Sequence, residues 1–181
     1  HLNHVSRYNL WVNIYDNQNA FPRAFIVYES RVIKNHDEVL KELQKISFNP
    51  GQEVIIEEDV IRGSKGLEEG YLHEGNDTVI ITEYSSNRFI VNTDPRESCF
   101  LVLGEVFYPG WKAYVDKKET KIYRANYLMR AIYLEKGRQE VVLSYEPVSF
   151  KIGAGMTLLT IGCIVGFYVN RYVVQPLKRN V

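Results

Sequence analysis

The sequence is poor in cysteine and has no excess of either charge, and both features exclude whole classes of protein. Its 181 residues include two cysteines, Cys99 and Cys163, too few for a disulfide framework, and neither has a second Cys or a His at metal-ligand spacing. Lys plus Arg and Asp plus Glu both number 22, so the net charge is zero. With no basic stretch either, we expect no nucleic-acid partner.

Catalytic motifs are also missing. The chain has no G-x-S-x-G, no Cys/His pair and no Walker loop. The carboxylate runs at 57–59 and 68–69 lie in or beside loop-like sequence, so we interpret them as solvated charge rather than an acid–base pair. The four histidines, at 1, 4, 36 and 73, are scattered through polar segments. We therefore predict no catalytic residue, no metal site and no cofactor in this chain.

A long apolar run stands near the C-terminus. Ile152 to Val169 carry no charge, and as a helix they would be roughly 27 Å long, close to the thickness of a bilayer core. Cations follow the run at 171, 178 and 179, whereas Lys151 alone precedes it, so the positive-inside rule places the C-terminus in the cytoplasm. A buried helix of a soluble protein is the alternative, but the run has no polar face to meet water.

Three regions follow from this run. We predict an extracytoplasmic domain at 1–150, a transmembrane helix at 151–174 and a cytoplasmic tail at 175–181, in a protein of the cell membrane. The chain begins with neither Met nor a signal peptide, so we expect a longer protein whose upstream transmembrane helices export the domain. Gly162 and Gly166 have GxxxG spacing, which favours packing of the last helix against those upstream helices. Membrane lipid and the upstream helices are thus the expected partners.

Before the apolar run, short alternating segments predict strands. Turn residues such as Pro109-Gly110 separate them, and this spacing is typical of an all-β sandwich or jelly roll. We predict an antiparallel domain with strands at 8–16, 24–34, 53–58, 78–86, 88–94, 99–107, 112–116, 120–126, 128–134 and 140–146.

One short helix is predicted outside the membrane, together with one long loop. Asn35 is a candidate N-cap with Glu38 three residues on, and the sequence after it places Val39, Leu40, Leu43 and Ile46 on one face. Residues 62–77 hold four glycines and many charges, which predicts a loop.

The densest group of unusual residues lies between 108 and 131. Aromatic faces there fit sugar rings, and planar donors and acceptors fit hydroxyls or phosphates. The candidate glycan or phosphate site consists of Tyr108, Trp111, Asp116, Arg124, Asn126 and Arg130. In the simpler structural alternative, Trp111 packs in the sandwich core and Asp116 pairs with Arg124 or Arg130 across neighbouring strands.

The chain resembles the C-terminal end of the YfhO family of bacterial membrane proteins. The resemblance covers the chain from about Asn17 to the last helix. It is carried by Ala20 to Phe25, by the run Phe107 to Ala113 with Asp116, by Arg124-Ala125-Asn126 and Arg130-Ala131, and by Tyr145 to Phe150 with Gly153. The chain departs from the family pattern at Lys117, where Gly is usual after the Asp, and at Arg138-Gln139.

The resemblance implies a polytopic protein close to the GT-C glycosyltransferases, which use polyprenyl-phosphate sugars. It implies a parent that modifies an envelope polymer such as lipoteichoic acid, with its catalytic acidic residue, the base, in a loop far upstream of this chain. The domain would then assist binding of the acceptor glycan or of the polyprenyl-linked sugar donor. The alternative is a non-catalytic structural or partner-binding β-domain, which predicts a fully buried Trp111 and arginines in ordinary ion pairs.

Overall fold

The computed structural model describes residues 2–9, 12–17, 20–59 and 77–174. Within them the chain forms two compact units, His1–Ser144 and Tyr145–Val181. The strands are β1 Leu2–Asn9, β2 Val12–Asn17, β3 Ala24–Val27, β4 Glu29–Val32, β5 Glu53–Ile56, β6 Thr78–Tyr84, β7 Arg88–Asp94, β8 Cys99–Leu103, β9 Trp111–Val115, β10 Lys118–Thr120, β11 Tyr123–Ala125, β12 Met129–Leu134 and β13 Gln139–Tyr145. The helices are α1 His36–Leu43 and α2 Val148–Val169, and a π-helical turn, Asn170–Val174, follows α2.

The first unit is a β-sandwich, as the sequence predicted. A five-stranded sheet has the order β10-β9-β13-β7-β6, and a six-stranded sheet has the order β3-β8-β12-β11-β5-β4. Strands β1 and β2 form a separate antiparallel hairpin. Strands β4 and β5 pair in parallel. The predicted antiparallel domain did not include this parallel pair.

The six-stranded sheet curls round on itself. Its edge strands β3 and β4 are consecutive segments of one extended run, separated only by Tyr28. The first segment pairs with β8 and the second with β5, so the strand predicted at 24–34 is a single bent strand with two partners. A bend is required because one straight strand cannot pair with two different neighbours at opposite edges of the sheet.

Two apolar cores result, because both faces of this curled sheet are covered. Side chains alternate along β8 and β12, so Leu101 and Ile132 face the five-stranded sheet while Phe100 and Ala131 face the inside of the curl. The core between the sheets includes Phe89, Val91, Leu101, Leu103, Ile132, Leu134, Val141 and Leu143. The core inside the curl includes Phe25, Val27, Val54, Ile56, Phe100, Val102 and Tyr123.

The short helix α1 begins where its cap was predicted. The Asn35 side-chain oxygen accepts hydrogen bonds from the backbone N–H groups of Asp37 and Glu38, at 3.0 and 3.4 Å. Val39 is fully buried, but Leu40 is exposed, and Ile46 lies beyond the end of the helix and is also exposed. The predicted apolar face is therefore wrong at these two positions, since the helix is too short to include the second.

The second unit contains the apolar helix α2. The span Val148–Tyr172 has a mean hydropathy of 1.9, and it is long and apolar enough to cross a membrane. The helix begins three residues before the predicted Lys151, whose ammonium lies 3.6 Å from the Glu146 carboxylate. The predicted loop at 62–77 and tail at 175–181 fall outside the described residues, apart from Asp77.

Candidate functional site

Most of the predicted site residues lie at one end of the sandwich. Strand β8 leaves this end into the segment 104–110, and the turn 126–128 joins β11 to β12 beside it. The Phe107 N–H donates a hydrogen bond of 2.6 Å to the Leu128 carbonyl, which fastens the segment to the turn. We call this end, with residues 104–111, 124–130 and the residues in contact with them, the arginine end.

The same end is where β13 finishes. Strands β9 and β13 are neighbours, and the Asp116 N–H donates to the Glu140 carbonyl at 2.9 Å, beyond the far end of β9. Strand β12 runs away from this end, so β13, which follows it after a short turn, runs back and finishes near Trp111 at the start of β9. Residues 146 and 147 separate β13 from α2 along the chain.

Arg130 is the most buried charge of the site. Its side chain points to the core between the sheets, in line with Ile132 and Leu134, and the residue is only 5% exposed. Its Cζ lies 4.3 Å from the centroid of the Trp111 ring, and its Nε donates to the Val106 carbonyl at 2.8 Å. Burial lowers the pKa of the guanidinium, against the opposing effects of Glu105 and Tyr84. Arginine nevertheless stays charged at neutral pH.

Arg124 lies directly opposite Arg130. The two residues are partners in the β11–β12 register, so both side chains project from the same face of the sheet, with Cβ atoms about 5 Å apart. The Arg124 guanidinium lies 5.0 Å from the centre of the Phe107 ring. Like charges directly opposite each other destabilise a sheet. In the described part of the chain, neither guanidinium has a carboxylate within ion-pair distance.

A polar triad borders this arginine pair. Arg23 Nη1 donates to the Tyr84 hydroxyl at 2.9 Å and to Glu105 Oε1 at 3.1 Å, and the Tyr84 hydroxyl donates to the same carboxylate oxygen at 2.8 Å. The bond to Glu105 raises the pKa of Tyr84. Glu105 is thus bound by Arg23 and Tyr84 rather than ion-paired with Arg124 or Arg130, although its charge still acts on Arg130.

Trp111 and Tyr108 flank the pair from the segment before β9. Trp111 is the first residue of β9, where the sequence predicted it, and it is partly buried against the core between the sheets. Tyr108 precedes the Pro109-Gly110 turn and is 61% exposed. Gly110 has a φ of 100°, a conformation that residues with a Cβ rarely adopt, so glycine is needed for this turn.

Asp116 lies away from the arginine end. It is at the opposite end of β9, about 17 Å from Trp111 at 3.3 Å per residue. Its Oδ1 accepts a hydrogen bond of 2.9 Å from the Glu140 N–H. The expected pairing of Asp116 with Arg124 or Arg130 is therefore wrong, because the strand carries this carboxylate to the other end of the sandwich.

Asn126 is near the arginines, but it is bonded to the backbone of another strand. Its Oδ1 accepts from the Ile55 N–H and its own N–H donates to the Ile55 carbonyl, both at 2.9 Å. The residue is buried and has a φ of 45°, a left-handed conformation that Asn tolerates better than most residues. Its amide oxygen thus holds the 126–128 turn on β5.

Sequence reasoning missed three contributors to this end, namely Tyr84, Glu105 and Phe107. Arg23, which lies in a stretch that carries the family resemblance, was not assigned to the site either. The triad joins residues 61 and 82 positions apart, and no local pattern reports such contacts. The sequence offered one signal for Glu105: this acidic residue stands three positions before Tyr108, a residue that was assigned to the site.

The chemistry of the arginine end is that of binding. Two guanidinium groups, each stacked on an aromatic ring, can hold a phosphate or carboxylate, and the flat faces of Trp111 and Tyr108 fit a sugar ring. Among the described residues, no three His, Cys, Asp or Glu side chains are placed to hold a metal ion.

Comparison with known proteins points to a membrane protein, in agreement with the apolar helix α2. The family model described as bacterial membrane protein YfhO matches residues 62–157, more than half of the chain. This chain belongs to the YfhO family. The matched region contains the segments 104–111 and 124–130 of the arginine end and the beginning of α2.

Among curated proteins, the chain is similar to the uncharacterized protein YfhO of Bacillus subtilis (strain 168). The two are 27% identical over 88 residues, which is 49% of this chain and 10% of the relative. The aligned region thus spans a tenth of the length of that YfhO protein. No solved structure matches the chain.

Proposed function

We propose that this chain is the last extracytoplasmic domain and final transmembrane helix of an envelope glycosyltransferase, and that its arginine end binds a polyprenyl-phosphate sugar. Arg124 and Arg130 hold the phosphate, and Trp111 and Tyr108 contact the sugar. The parent transfers the sugar to an envelope polymer such as lipoteichoic acid, and its catalytic residues lie upstream. Residues 1–150 lie outside the cell and 175–181 in the cytoplasm.

The arginine pair carries this proposal, because no carboxylate of the described residues lies within ion-pair distance of either guanidinium. Two like charges on neighbouring strands cost stability, and Arg130 also costs desolvation free energy because it is buried. The fold contains a carboxylate nearby, but Glu105 is bound by Arg23 and Tyr84. An anionic ligand between the guanidinium groups would remove the repulsion, and a phosphate offers enough oxygens for both.

The position of the pair fits a lipid-linked ligand. Strand β13 finishes at the arginine end, and α2 begins two residues after the strand. The phosphate of a polyprenyl lipid lies at the membrane surface. A site close in the chain to the membrane-spanning helix is therefore suited to bind it. The exposed side chain of Tyr108 and the partly exposed Trp111 then lie where the attached sugar would be.

The test is made in the full-length parent. Arg124→Ala and Trp111→Phe are expected to reduce envelope glycosylation while the amount of protein in the membrane stays normal. Lys118→Ala, an exposed cation in β10 beyond the opposite end of β9, is the matched control and should change neither. Normal glycosylation in Arg124→Ala at normal abundance would exclude the phosphate role.

A structural role is the second candidate, and the bonds of two predicted site residues favour it. Asn126 fastens a turn to β5, and Asp116 bonds the backbone of β13, so both stabilise the sandwich. On this hypothesis the domain supports the upstream helices or a partner protein. It predicts that Arg124→Ala and Trp111→Phe lower membrane abundance and glycosylation together, in equal proportion.

A further inference from the structure

Three large apolar side chains of the arginine end are more than half exposed. Val106, Tyr108 and Leu128 are 57%, 61% and 55% exposed. They belong to two segments that are fastened together by the bond from the Phe107 N–H to the Leu128 carbonyl. Large apolar side chains exposed on adjoining segments are typical of interaction sites. We call these three residues the apolar tip.

The turn that presents Leu128 is held from several sides. Asn126 and Tyr127 both have positive φ, and Asn126 is bonded to Ile55 through its backbone and its side chain. The Tyr127 ring stacks on His36 with centroids 3.8 Å apart, and His36 Nδ1 lies 2.7 Å from the Glu57 carboxylate. Leu128 is therefore kept exposed by a rigid turn rather than by the fraying of a loose one.

We infer that the apolar tip inserts into the membrane interface, with Arg124 near the phosphates of anionic lipids. The membrane is the occupant that the molecule itself supplies, because α2 follows β13 by two residues and β13 finishes at this end of the sheet. Tyrosine and aliphatic side chains beside arginine are the composition found at membrane surfaces. The test below uses Val106 and Leu128, which have no part in the proposed function, so its outcome does not depend on whether a sugar phosphate binds to the arginine pair.

Fluorescence quenching of the 181-residue chain tests this contact. Single cysteines are placed by Val106→Cys, by Leu128→Cys and by the control Lys118→Cys, each with Cys163→Ser, and are labelled with an environment-sensitive dye. Cys99 is fully buried and can stay. All three labelled positions are exposed, so the dye does not disturb the core. The chain is reconstituted in vesicles of phosphatidylglycerol and phosphatidylethanolamine that contain a lipid with a spin label on its acyl chain.

The dye at 106 and 128 is expected to be quenched severalfold more strongly by the spin-labelled lipid than the dye at 118. Iodide in the aqueous phase should show the opposite order. Equal access of iodide to all three positions, without quenching by lipid, would overturn the inference. Protection of 106 and 128 from both quenchers would overturn it too, because a protein surface rather than lipid would then cover the tip.

Discussion

Arg130 and Trp111 join the two sheets of the sandwich at one end. Arg130 comes from β12 of the six-stranded sheet and Trp111 from β9 of the five-stranded sheet, and the guanidinium carbon lies 4.3 Å from the centre of the indole. This stack lies at the end of the core between the sheets. The Nε of the same guanidinium donates a hydrogen bond to the Val106 carbonyl. Arg130 therefore contributes to the packing of the sandwich, and on the proposed function it also binds the phosphate, so substitutions of it can separate the two roles.

Replacing Arg130 with Met is expected to preserve the fold and abolish binding of phosphate. A buried charge without an ion pair gains little for stability, and an apolar side chain of similar length fills the same space, so the free energy of unfolding should change by about 1 kcal/mol or less. The Val106 carbonyl that loses this bond belongs to a residue that is more than half exposed. Denaturant titration of the detergent-solubilised chain measures stability, and calorimetry with a short-chain polyprenyl phosphate measures binding.

Two controls accompany this pair of measurements. A polyprenol without the phosphate should bind neither the wild-type chain nor Arg130→Met. Lys118→Met removes an exposed cation beyond the opposite end of β9 and should leave binding unchanged. If Arg130→Met folds and binds the phosphate as well as wild type, the assignment of Arg130 to the ligand fails. If the variant unfolds, the predicted change in stability is wrong.

Asn126→Ala is expected to destabilise the domain by about 2–4 kcal/mol. The substitution leaves the Ile55 N–H without its side-chain acceptor and puts Ala at a φ of 45°, each of which costs on the order of 1–2 kcal/mol. Asn126→Gly loses the same bond but tolerates the positive φ, so its loss should be about 1 kcal/mol smaller. Denaturant midpoints of the two variants compare the effects, and equal losses would show that backbone strain contributes nothing.

Lys117→Gly is expected to stabilise the domain by about 0.5–1 kcal/mol. Asp116 and Lys117 form the two-residue turn between β9 and β10 with φ values of 48° and 70°, and this turn type prefers Asp-Gly. Glycine removes the strain of a side chain in the left-handed region. Lys118→Gly, one residue later within β10, should instead destabilise by about 0.5–1 kcal/mol. Thermal unfolding of both variants and of the wild type checks whether Lys117→Gly raises the stability and Lys118→Gly lowers it.

Stability is expected to fall as the pH rises from about 9 to 12. Burial raises the pKa of the Cys99 thiol from its ordinary 9.0 to about 12 in the folded chain, and burial together with the bond to Asp77 raises the pKa of Tyr28. The unfolded chain loses its thiol proton first, so unfolding becomes easier by up to about 1.4 kcal/mol per pH unit for each such group. Cys99→Ala should show a shallower decline in denaturant titrations over this range, and an equal slope would contradict the assignment.

Short-range patterns predicted most of the secondary structure. β7 occurs at its predicted bounds, and Asn35 caps α1 as its position before the acidic turn indicated. The strand predicted at 120–126 includes all of β11 but only the last residue of β10, because the chain changes partner here: β10 pairs with β9, and β11 pairs with β12 in the opposite sheet. Propensity cannot report such a change of partner, since the residues on either side of it favour strand equally well.

By itself, the sequence determined the properties that depend on neighbours along the chain: an apolar helix able to span a membrane, a β-rich domain before it, and the turn at Pro109-Gly110 that places Trp111 at the start of a strand. Only the tertiary structure decided which polar residues meet. It stacks Arg130 on Trp111 from the other sheet, bonds Asn126 to Ile55 and carries Asp116 to the opposite end of β9. The physical reason is that strand pairing and sheet packing set these distances, and both depend on contacts between residues far apart in the chain.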